Sequence, residues 1–537
     1  MGVYLKFFIM IKLNLQLFLF LIGFGAFAQS ASYNKTTVVS DCWKTNPVIA
    51  TATQQNSIAV FENFVYMVYY NTDRYLCIAR SDNYGDGGWK TIQLNHRYEQ
   101  RNGVWDSHNT PNIIISPIDK RIHLSFDMHK HELRYMLSWA NTATISNDQF
   151  TASRFSSVRN YMEANKTIIK DVTYPRFFVG RNQNLFFMYR KGGSGNGDTY
   201  MVKYNNDATW DQPFEIIDGN VGTHNGSSSR CAYFNDVQFH AGKIHLTWVW
   251  RETPDATTNH DLMYAYSGND GQSWKNSQGE YLSMPMNLNS PGLKVATIET
   301  NTGLTNHNGA AVDGDGNIHS ILRINGSYYH YFGLKGSDGN FTWTKQLAAT
   351  FSGDRPKLYC DRSTNTLYLM VRQSSSLKLF ATSSNNSKWN QWKEVKSFAD
   401  KFTSTTNSII NTAGNELLTM AVSSDERLQL INWALTPASG AASRTGEIPS
   451  PFLLEEENRK EAVLYPNPCQ AFFSLRLEDW ESPDITMFDQ SGRMVYKEEA
   501  VAGSHEVAVE KFPPGIYWVH VIDRKGDKTF NQRLIIE

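Results

Sequence analysis

Short β-type runs recur along most of this chain, and they limit the folds that it can adopt. From about residue 36 to residue 435 they are separated by Gly, Asn, Asp and Ser, with no convincing long amphipathic helix between them. A turn followed by an apolar strand recurs at residues 121–124, 243–246 and 317–320. A strand that leads through an Asp/Gly turn to a tryptophan is clearest at residues 265–274, with weaker echoes at 81–89, 337–343 and 384–392. This repetition at roughly blade length predicts an all-β, seven-bladed β-propeller, with six blades as the nearest rival.

Both ends of the chain differ in character from this repeated middle. Lys6 and Lys12 precede an apolar run that ends in Ala-Phe-Ala, a pattern typical of a secretory signal peptide. A lone membrane anchor is the alternative, which the short apolar stretch disfavours. No later segment is apolar enough to span a bilayer, so we expect no transmembrane helix in the mature protein. We predict a signal peptide at 1–28, the propeller catalytic domain at 29–436, a linker at 437–461 and a small β-sandwich-like domain at 462–537.

Composition narrows the classes of partner. Charged residues make up 19% of the 537 residues and the formal net charge is -1, which argues against a general nucleic-acid binder. Aromatic residues reach 13%, which suits both a β-rich core and a surface that stacks against sugars. Five scattered cysteines without C-x-x-C spacing form no disulfide scaffold. A structural zinc or calcium ion is an open alternative, and its weak candidate ligands, none at metal-ligand spacing, are Cys231, His240, His260 and Cys360.

Two polar histidines frame the first candidate for chemistry. His108 lies in the motif W-D-S-H-N-T-P, and His129 ends the motif I-H-L-S-F-D-M-H. Strands predicted at 112–116 and 121–126 form a hairpin between them, so we expect both histidines at the same edge of the sheet. Such a pair can share a proton-transfer task near neutral pH. Two surface histidines near a turn are the alternative.

Two further hairpins repeat this arrangement. Tyr174 enters one and Arg190 leaves it, so both should reach one rim, and glycines after Arg190 leave its guanidinium uncovered. Pro175 favours an extended conformation for Tyr174. The next hairpin and other blade entries supply the candidate substrate-binding residues Tyr233, Asn109, Arg176, Arg251 and His307. The two arginines in this set could instead form salt bridges between blades, and the tyrosine could pack beside a tryptophan.

Other recurring residues are predicted to be structural. Histidines at equivalent strand positions are expected to be buried, namely His123, His245 and His319. In the clearest Asp/Gly turn, we expect Asp270 to cap the turn with its own backbone and Trp274 to pack between blades.

The ordered motifs together resemble a known family. The series D-S-H-N-x-P, I-H-L-S-F-D-M-H, V-T-Y-P-R-F, Y-R-x-G-x-S-G-x-G-D and W-x-W-R-E-T is similar to the BNR-4-type propeller lyases, which include the ulvan lyases of polysaccharide lyase families 24 and 25. The resemblance spans most of residues 60–400 and implies a catalytic cleft lined by His108, His129, Tyr174 and Arg190. Tyr233 is a less certain fifth residue. It also implies an acidic, sulfated algal polysaccharide as substrate.

The chemistry of uronate elimination suits these residue types. An arginine can neutralise the uronate carboxylate as a planar bidentate partner, which we assign to Arg190. A base must take the C5 proton and an acid must supply one to the leaving oxygen, and the sequence leaves these roles open among His108, Tyr174 and His129. No cofactor is required for this chemistry. A sialidase-like hydrolase, suggested by the S-x-x-D-G-x-x-W "Asp box", and a non-catalytic glycan-binding propeller are the alternatives.

The C-terminal segment carries a second resemblance. From Val463 onward, the Y-P-N-P opening, the P-G-I-Y-W-V strand and the terminal strand resemble the sorting domain of the type IX secretion system. The resemblance implies that the secretion machinery exports the protein through the outer membrane, to the cell surface or the medium. A carbohydrate-binding β-sandwich is the alternative. We expect a monomer.

Overall fold

The computed structural model describes the chain in segments. They are residues 32–44, 56–100, 103, 105–205, 207–349, 353–384, 388–399, 402–403, 407–411, 415–435, 463–465, 469–477, 480–489, 493–523 and 529–536. The predicted signal peptide and linker lie outside these residues. The chain divides into two compact units, Met1–Leu454 and Glu455–Glu537. The predicted domain boundaries stay predictions.

The first unit is built almost entirely of antiparallel strands, in sheets that follow the order of the chain. Its first strand is β1 (Ser32–Val39). The next sheet contains β2 (Ile58–Phe61), β3 (Phe64–Tyr70), β4 (Tyr75–Ser81) and β5 (Lys90–Arg97). It is followed by β6 (Asn112–Ile115), β7 (Ile122–Ser125), β8 (His129–His131) and β9 (Tyr135–Leu137), of which β6, β7 and β9 form a sheet and β8 pairs with the next strand, β10 (Val172–Val179).

Two groups of strands in the middle of the unit are joined into one larger sheet. The first group continues from β10 to β11 (Leu185–Gly193), β12 (Asn196–Tyr204) and β13 (Phe214–Ile217). The second contains β14 (Cys231–His240), β15 (Lys243–Arg251), β16 (Asn259–Ser267), β17 (Trp274–Lys275), β18 (Tyr281–Leu282) and β19 (Lys294–Ala296). A parallel bridge between Gly197 and Cys231 joins β12 to β14 and so connects the groups.

The remaining sheets of the first unit have four strands each. One contains β20 (Gly309–Val312), β21 (Ile318–Ile324), β22 (Ser327–Lys335) and β23 (Phe341–Ala349). The next contains β24 (Lys357–Asp361), β25 (Thr366–Gln373), β26 (Ser376–Ser383) and β27 (Lys393–Ala399). The last contains β28 (Asn407–Asn411), β29 (Glu416–Val422) and β30 (Leu428–Ala434), and β1 pairs antiparallel with β30 as its fourth strand. Short 3-10 helices lie at Asn83–Gly85, Thr142–Thr144, Ala152–Arg154, Arg181–Gln183 and Ala256–Thr258.

The first strands of successive sheets contact one another in a closed order. The sequence of contacts is β2, β6, β10, β14, β20, β24, β28 and back to β2. Closure through β1 joins the start of the described chain to the end of the unit. This confirms the predicted all-β class and gives a propeller-like architecture, in which strand ends and loops of different sheets meet around a common axis.

Large aromatic side chains fill the layers between the sheets. Trp248, Trp250 and Trp274 are fully buried in one such layer. In the turn before Trp274, the Ser267 hydroxyl accepts a hydrogen bond from the Gly271 amide at 2.9 Å. Asp270 does not cap this turn as predicted, because its carboxylate instead forms a 2.9 Å ion pair with Lys203.

The recurring strand histidines are buried, as predicted. His123, His245 and His319 are 0–4% exposed. His123 contacts the Tyr135 hydroxyl at 2.7 Å, and His245 contacts the Tyr264 hydroxyl at 2.9 Å. These two histidines therefore form hydrogen bonds within the buried core of their own sheets.

The second unit contains two sheets. One consists of β31 (Val463–Tyr465), β32 (Phe472–Leu477) and β35 (Gly503–Ala508). The other consists of β33 (Pro483–Phe488), β34 (Met494–Glu499), β36 (Gly515–Asp523) and β37 (Thr529–Ile536). Side chains from both sheets share one buried cluster that includes Phe473, Leu475, Ile485 and Val519. In the described segments of the whole chain, no helix combines the length and apolar character needed to cross a membrane.

Candidate active site

The hairpin of β6 and β7 brings His108 and His129 together. Asn112 pairs with Ser125 at one end of the hairpin, so the residue before β6 and the residue after β7 leave from the same edge. The two imidazole rings lie with centroids 4.2 Å apart, and both side chains are partly exposed. The predicted convergence of the two histidines is present in the structure.

Asp106 holds both histidines, and sequence reasoning did not single it out. Its two carboxylate oxygens lie 2.5 Å from His108 Nδ1 and 2.6 Å from His129 Nδ1. Burial alone would raise the pKa of Asp106, but hydrogen bonds from His108 and His129 outweigh it and lower the pKa. The carboxylate therefore stays ionised and fixes each imidazole with Nδ1 as donor, which leaves Nε2 as the free nitrogen.

Tyr174 reaches this pair from a bulge in β10. The pairing of β10 with β11 shifts between Thr173 and Arg176, and Tyr174 has a φ of 50°. The prediction of an extended Tyr174 was therefore wrong, because the bulge overrides the usual effect of a following proline. Its ring lies 5.9 Å from that of His108. Burial, reinforced by the neighbouring Tyr233, raises the pKa of the Tyr174 hydroxyl, so it keeps its proton at neutral pH.

Arg190 lies buried between two tyrosines, so the prediction that the following glycines leave its guanidinium uncovered was wrong. Its guanidinium carbon is 5.0 Å from the Tyr174 ring centroid and 5.1 Å from the Tyr233 ring centroid. Nη1 donates to the Cys231 sulfur at 3.5 Å, whereas Nε and Nη2 have no hydrogen-bond partner in the described part of the chain. Unpaired buried donors are costly, so these two nitrogens are the unsatisfied part of the cluster.

Tyr233 and Arg251 form the next layer of the site. The Tyr233 hydroxyl lies 3.0 Å from the Ser194 hydroxyl and accepts from Arg251 Nη1 at 3.3 Å. Arg251 also donates from Nε to the Asn259 side chain at 3.0 Å. These contacts hold Tyr233 over Arg190, while Trp248 and Trp250 pack elsewhere in the sheet.

His307, in the loop before β20, is the last aromatic side chain of the cluster. Its ring centroid is 4.5 Å from that of Tyr174 and 4.7 Å from that of Tyr233. Burial, followed by the nearby arginines Arg355, Arg190, Arg176 and Arg251, lowers the pKa of His307 well below its ordinary value. The imidazole is therefore neutral at neutral pH.

Two other predicted site residues have structural partners. Arg176 forms a 3.0 Å ion pair with Asp236, which joins β10 to β14, as expected of a salt bridge between blades. Asn109 is 2% exposed and donates to the carboxylate of Asp127 at 3.0 Å, so it anchors the loop beneath His108.

Arg355 also lies near this cluster, although no sequence motif pointed to it. Its guanidinium is fixed by hydrogen bonds to the backbone oxygen and the side-chain oxygen of Asn306, each at 2.9 Å. Asn306 precedes His307, so the same loop positions both groups. Arg355 lies just before β24 and in none of the candidate motifs, so the sequence alone did not indicate it.

The four cysteine and histidine metal candidates do not form one site. Cys231 accepts a hydrogen bond from the Gly195 amide at 3.2 Å, and His260 lies between Glu252 at 2.9 Å and Asp261 at 3.2 Å. His240 lies at the end of β14 and Cys360 in β24. None of the five cysteines forms a disulfide with another described residue. A different set, Asp106, His108 and His129, places one ligand atom of each within 4.8 Å of the others, which is a spacing that a divalent cation could use.

Comparison with known proteins identifies the family. Residues 64–350 match the model described as "BNR repeat-containing family member". The chain belongs to this BNR repeat family. Residues 463–537 match the secretion system C-terminal sorting domain, which confirms the predicted sorting domain and export of the protein.

Curated relatives include several ulvan lyases. This BNR-family chain is 25% identical over 280 residues to the long isoform of ulvan lyase from Alteromonas sp., a match that covers 45% of the chain and 28% of that relative. It is 26% identical over 285 residues to the short isoform from Alteromonas sp. (strain LOR), which covers 45% of the chain and 53% of that relative. The chain thus spans about a quarter to a half of the length of these relatives.

Solved structures share the fold. The polysaccharide lyase Uly1 superposes with a TM-score of 0.62 at 20% identity, over 75% of this chain and 99% of that one. A PL25 ulvan lyase bound to -[GlcA(1-4)Rha3S]- superposes with a TM-score of 0.54 at 15% identity, over 75% and 96% of the two chains. At these identities the likeness establishes the fold alone.

Proposed function

We propose that this protein is an exported polysaccharide lyase that cleaves a uronate-containing, sulfated algal polysaccharide such as ulvan by β-elimination. The observation that carries the proposal is Arg190, a buried guanidinium with two unpaired nitrogens beside an Asp-held histidine pair. The ulvan lyase relatives and the matched fold support the same reaction class.

The first requirement of elimination is to neutralise the uronate carboxylate. Arg190 can bind it in a planar, bidentate manner through Nε and Nη2. Because the guanidinium is held in place by Tyr174, Tyr233 and Cys231, it needs little reorganisation as negative charge spreads from C5 onto the carboxylate. This lowers the barrier to removal of the C5 proton.

The second requirement is a base and an acid near the same bond. His108 presents its free Nε2 as the base, because Asp106 holds the opposite nitrogen as a donor. Tyr174 keeps its proton and can donate it to the leaving O4. The C5–H bond and the C4–O4 bond break, and a C4–C5 double bond forms. The C5 proton moves to His108, and the Tyr174 proton moves to the leaving O4. His129 supports the pair through the shared Asp106.

The finer features of the architecture belong to the same proposal. The closed order of contacts through β2, β6, β10, β14, β20, β24 and β28 supports seven blades. The two sheets and common core of the second unit support a β-sandwich-like sorting domain that the type IX secretion machinery reads.

The test is to incubate the purified protein with ulvan and to follow ultraviolet absorbance together with new reducing ends. Elimination produces both signals, because the new double bond is conjugated with the carboxylate. We expect His108→Ala to abolish both, and the exposed rim change Asp171→Asn to leave them intact. Reducing ends without absorbance would identify a hydrolase, and binding without cleavage would identify a glycan-binding propeller. Either result would overturn the proposal.

A further inference from the structure

A sugar-sized groove lies on the sheet next to the histidine pair, at the other end of its strands. The groove has a volume of about 430 Å³ and is lined by Arg121, Trp139, Arg154 and Arg159, among others. Arg121 precedes β7 and Trp139 follows β9, whereas His129 follows β7 and precedes β9. Since β7 and β9 are antiparallel, the groove and the histidine pair leave from opposite edges of the sheet.

Trp139 is unusually exposed for its size. Its side chain is 60% exposed, although tryptophan is among the most buried residue types by area. Its backbone is rigidly held, because its amide donates to the Arg154 carbonyl at 2.9 Å and its carbonyl accepts from Thr142 Oγ1 at 2.7 Å. An exposed indole on a firmly held backbone is a platform on which a sugar ring can stack.

The arginines give this groove a positive charge. In the described part of the chain, the guanidinium groups of Arg154 and Arg159 have no hydrogen bond or ion pair, and the Arg159 guanidinium carbon lies 5.9 Å from the Tyr161 ring centroid. Arg121 is paired with Asp119 at 2.9 Å and also donates to the Ser138 carbonyl at 2.9 Å. No carboxylate lines the groove. An occupant must therefore combine a flat apolar face with negative charge.

We propose that this groove, defined by Trp139, Arg154 and Arg159, is a second binding site for an acidic oligosaccharide segment, distinct from the catalytic cleft. A pyranose face stacks on Trp139, and the carboxylate or sulfate groups of the chain bind the two unpaired guanidinium groups. The choice of ulvan as the polymer rests on the proposed function. A site at the opposite edge keeps the enzyme on a long chain while the cleft is empty, by raising the local concentration of cleavable bonds.

The experiment measures binding in the absence of cleavage. The His108→Ala protein is run in native gels containing ulvan, and in matched gels containing the neutral glucan laminarin. We expect retardation in ulvan only. Adding Trp139→Ala, or Arg154→Ala with Arg159→Ala, should weaken the apparent affinity about tenfold, and Trp139→Phe should retain most of it.

Matched controls separate this site from general charge or aromatic effects. Tyr281 is 70% exposed elsewhere on the same unit, so Tyr281→Ala removes an equally accessible ring. Lys388→Ala with Lys393→Ala removes two exposed positive charges from another sheet. Equal loss in either control, or affinity within about twofold of the parent after both groove changes, would overturn the proposal. Melting temperatures establish that each variant is folded.

A second measurement distinguishes this proposal from the proposed function. In the otherwise unchanged protein, Trp139→Ala should leave kcat/KM on a short ulvan oligosaccharide unaltered and lower the rate on dilute polymer. If the groove variants lose gel retardation but the parent protein forms no unsaturated product, the groove proposal is upheld and the lyase proposal is overturned. Lyase activity with groove variants that bind and cleave polymer normally would do the reverse.

Discussion

Asp106→Asn tests the geometry on which the proposed mechanism depends. The carboxylate accepts hydrogen bonds from both imidazole Nδ1 atoms, at 2.5 and 2.6 Å. An amide has one acceptor oxygen and one donor nitrogen, so it can keep only one histidine in the tautomer that leaves Nε2 free. The other histidine must turn its proton toward the cleft, where it no longer serves as a base.

The size of the effect follows from the roles of these groups. A hydrogen bond to a charged group contributes roughly 1.5–3 kcal/mol, and a positioned base contributes about 10²–10⁴-fold in rate. In serine proteases, the equivalent Asp-to-Asn change costs about 10⁴-fold. We expect kcat of Asp106→Asn to fall about 10²–10⁴-fold. KM should change little, because Asp106 acts through the two histidines to which it is hydrogen-bonded.

The assay is the initial rate of ultraviolet absorbance on ulvan over a range of substrate concentrations. Asp171→Asn removes an exposed carboxylate from the start of β10 and serves as the control, with kcat close to that of the parent protein. A folded Asp106→Asn protein with kcat within about threefold of the parent would refute the assignment. A rise in KM at unchanged kcat would instead place Asp106 in substrate binding.

Three further predictions test other parts of the structure. Arg190→Lys keeps the charge but loses the planar fork, so kcat/KM on ulvan should fall at least about 10²-fold, and retention of activity would contradict bidentate binding. Lys357→Met tests the dependence of stability on pH. Burial lowers the pKa of Lys357 to about 7, an effect that Asp236 partly offsets and Arg176 reinforces. The pKa of lysine in the unfolded state is about 10.4. The unfolded state therefore binds more protons between these values and wild-type stability rises with pH there, so the variant should melt higher below pH 7 and equally near pH 10. Treatment with a chelator should leave the elimination rate unchanged; loss that zinc restores would show a metal at Asp106, His108 and His129.

Much of the site could be predicted because antiparallel hairpins fix where their ends meet. His108 with His129, and Tyr174 with Arg190, each flank one hairpin, so their sequence positions were enough to bring them together. Contacts within one sheet depend on local register, which the alternation of side chains and the turns reveal.

Other features depend on contacts that no local pattern contains. Arg355 joins the cluster from the segment before β24, far along the chain from Arg190, and only closure of the ring brings the two together. Asp106 lies in the motif W-D-S-H-N-T-P. It was not predicted as a site residue because an aspartate at such a position is also typical of a turn. Tyr174 was misjudged because the bulge in β10, which sets its φ, arises from pairing on both sides of the strand.

Under the proposed function, the distribution of charge around Tyr174 is what makes elimination, rather than simple binding, the reaction that this cluster suits. After burial, four arginines contribute to the lowered pKa of a neutral His307, and one of them, Arg176, is paired with Asp236. A bound uronate satisfies only one guanidinium. Loss of the C5 proton adds a second negative charge next to the first, and the remaining positive potential stabilises that charge more than it stabilises the ground state. Because burial holds the arginines rigidly, this preference is present before the substrate arrives, as a lower barrier requires.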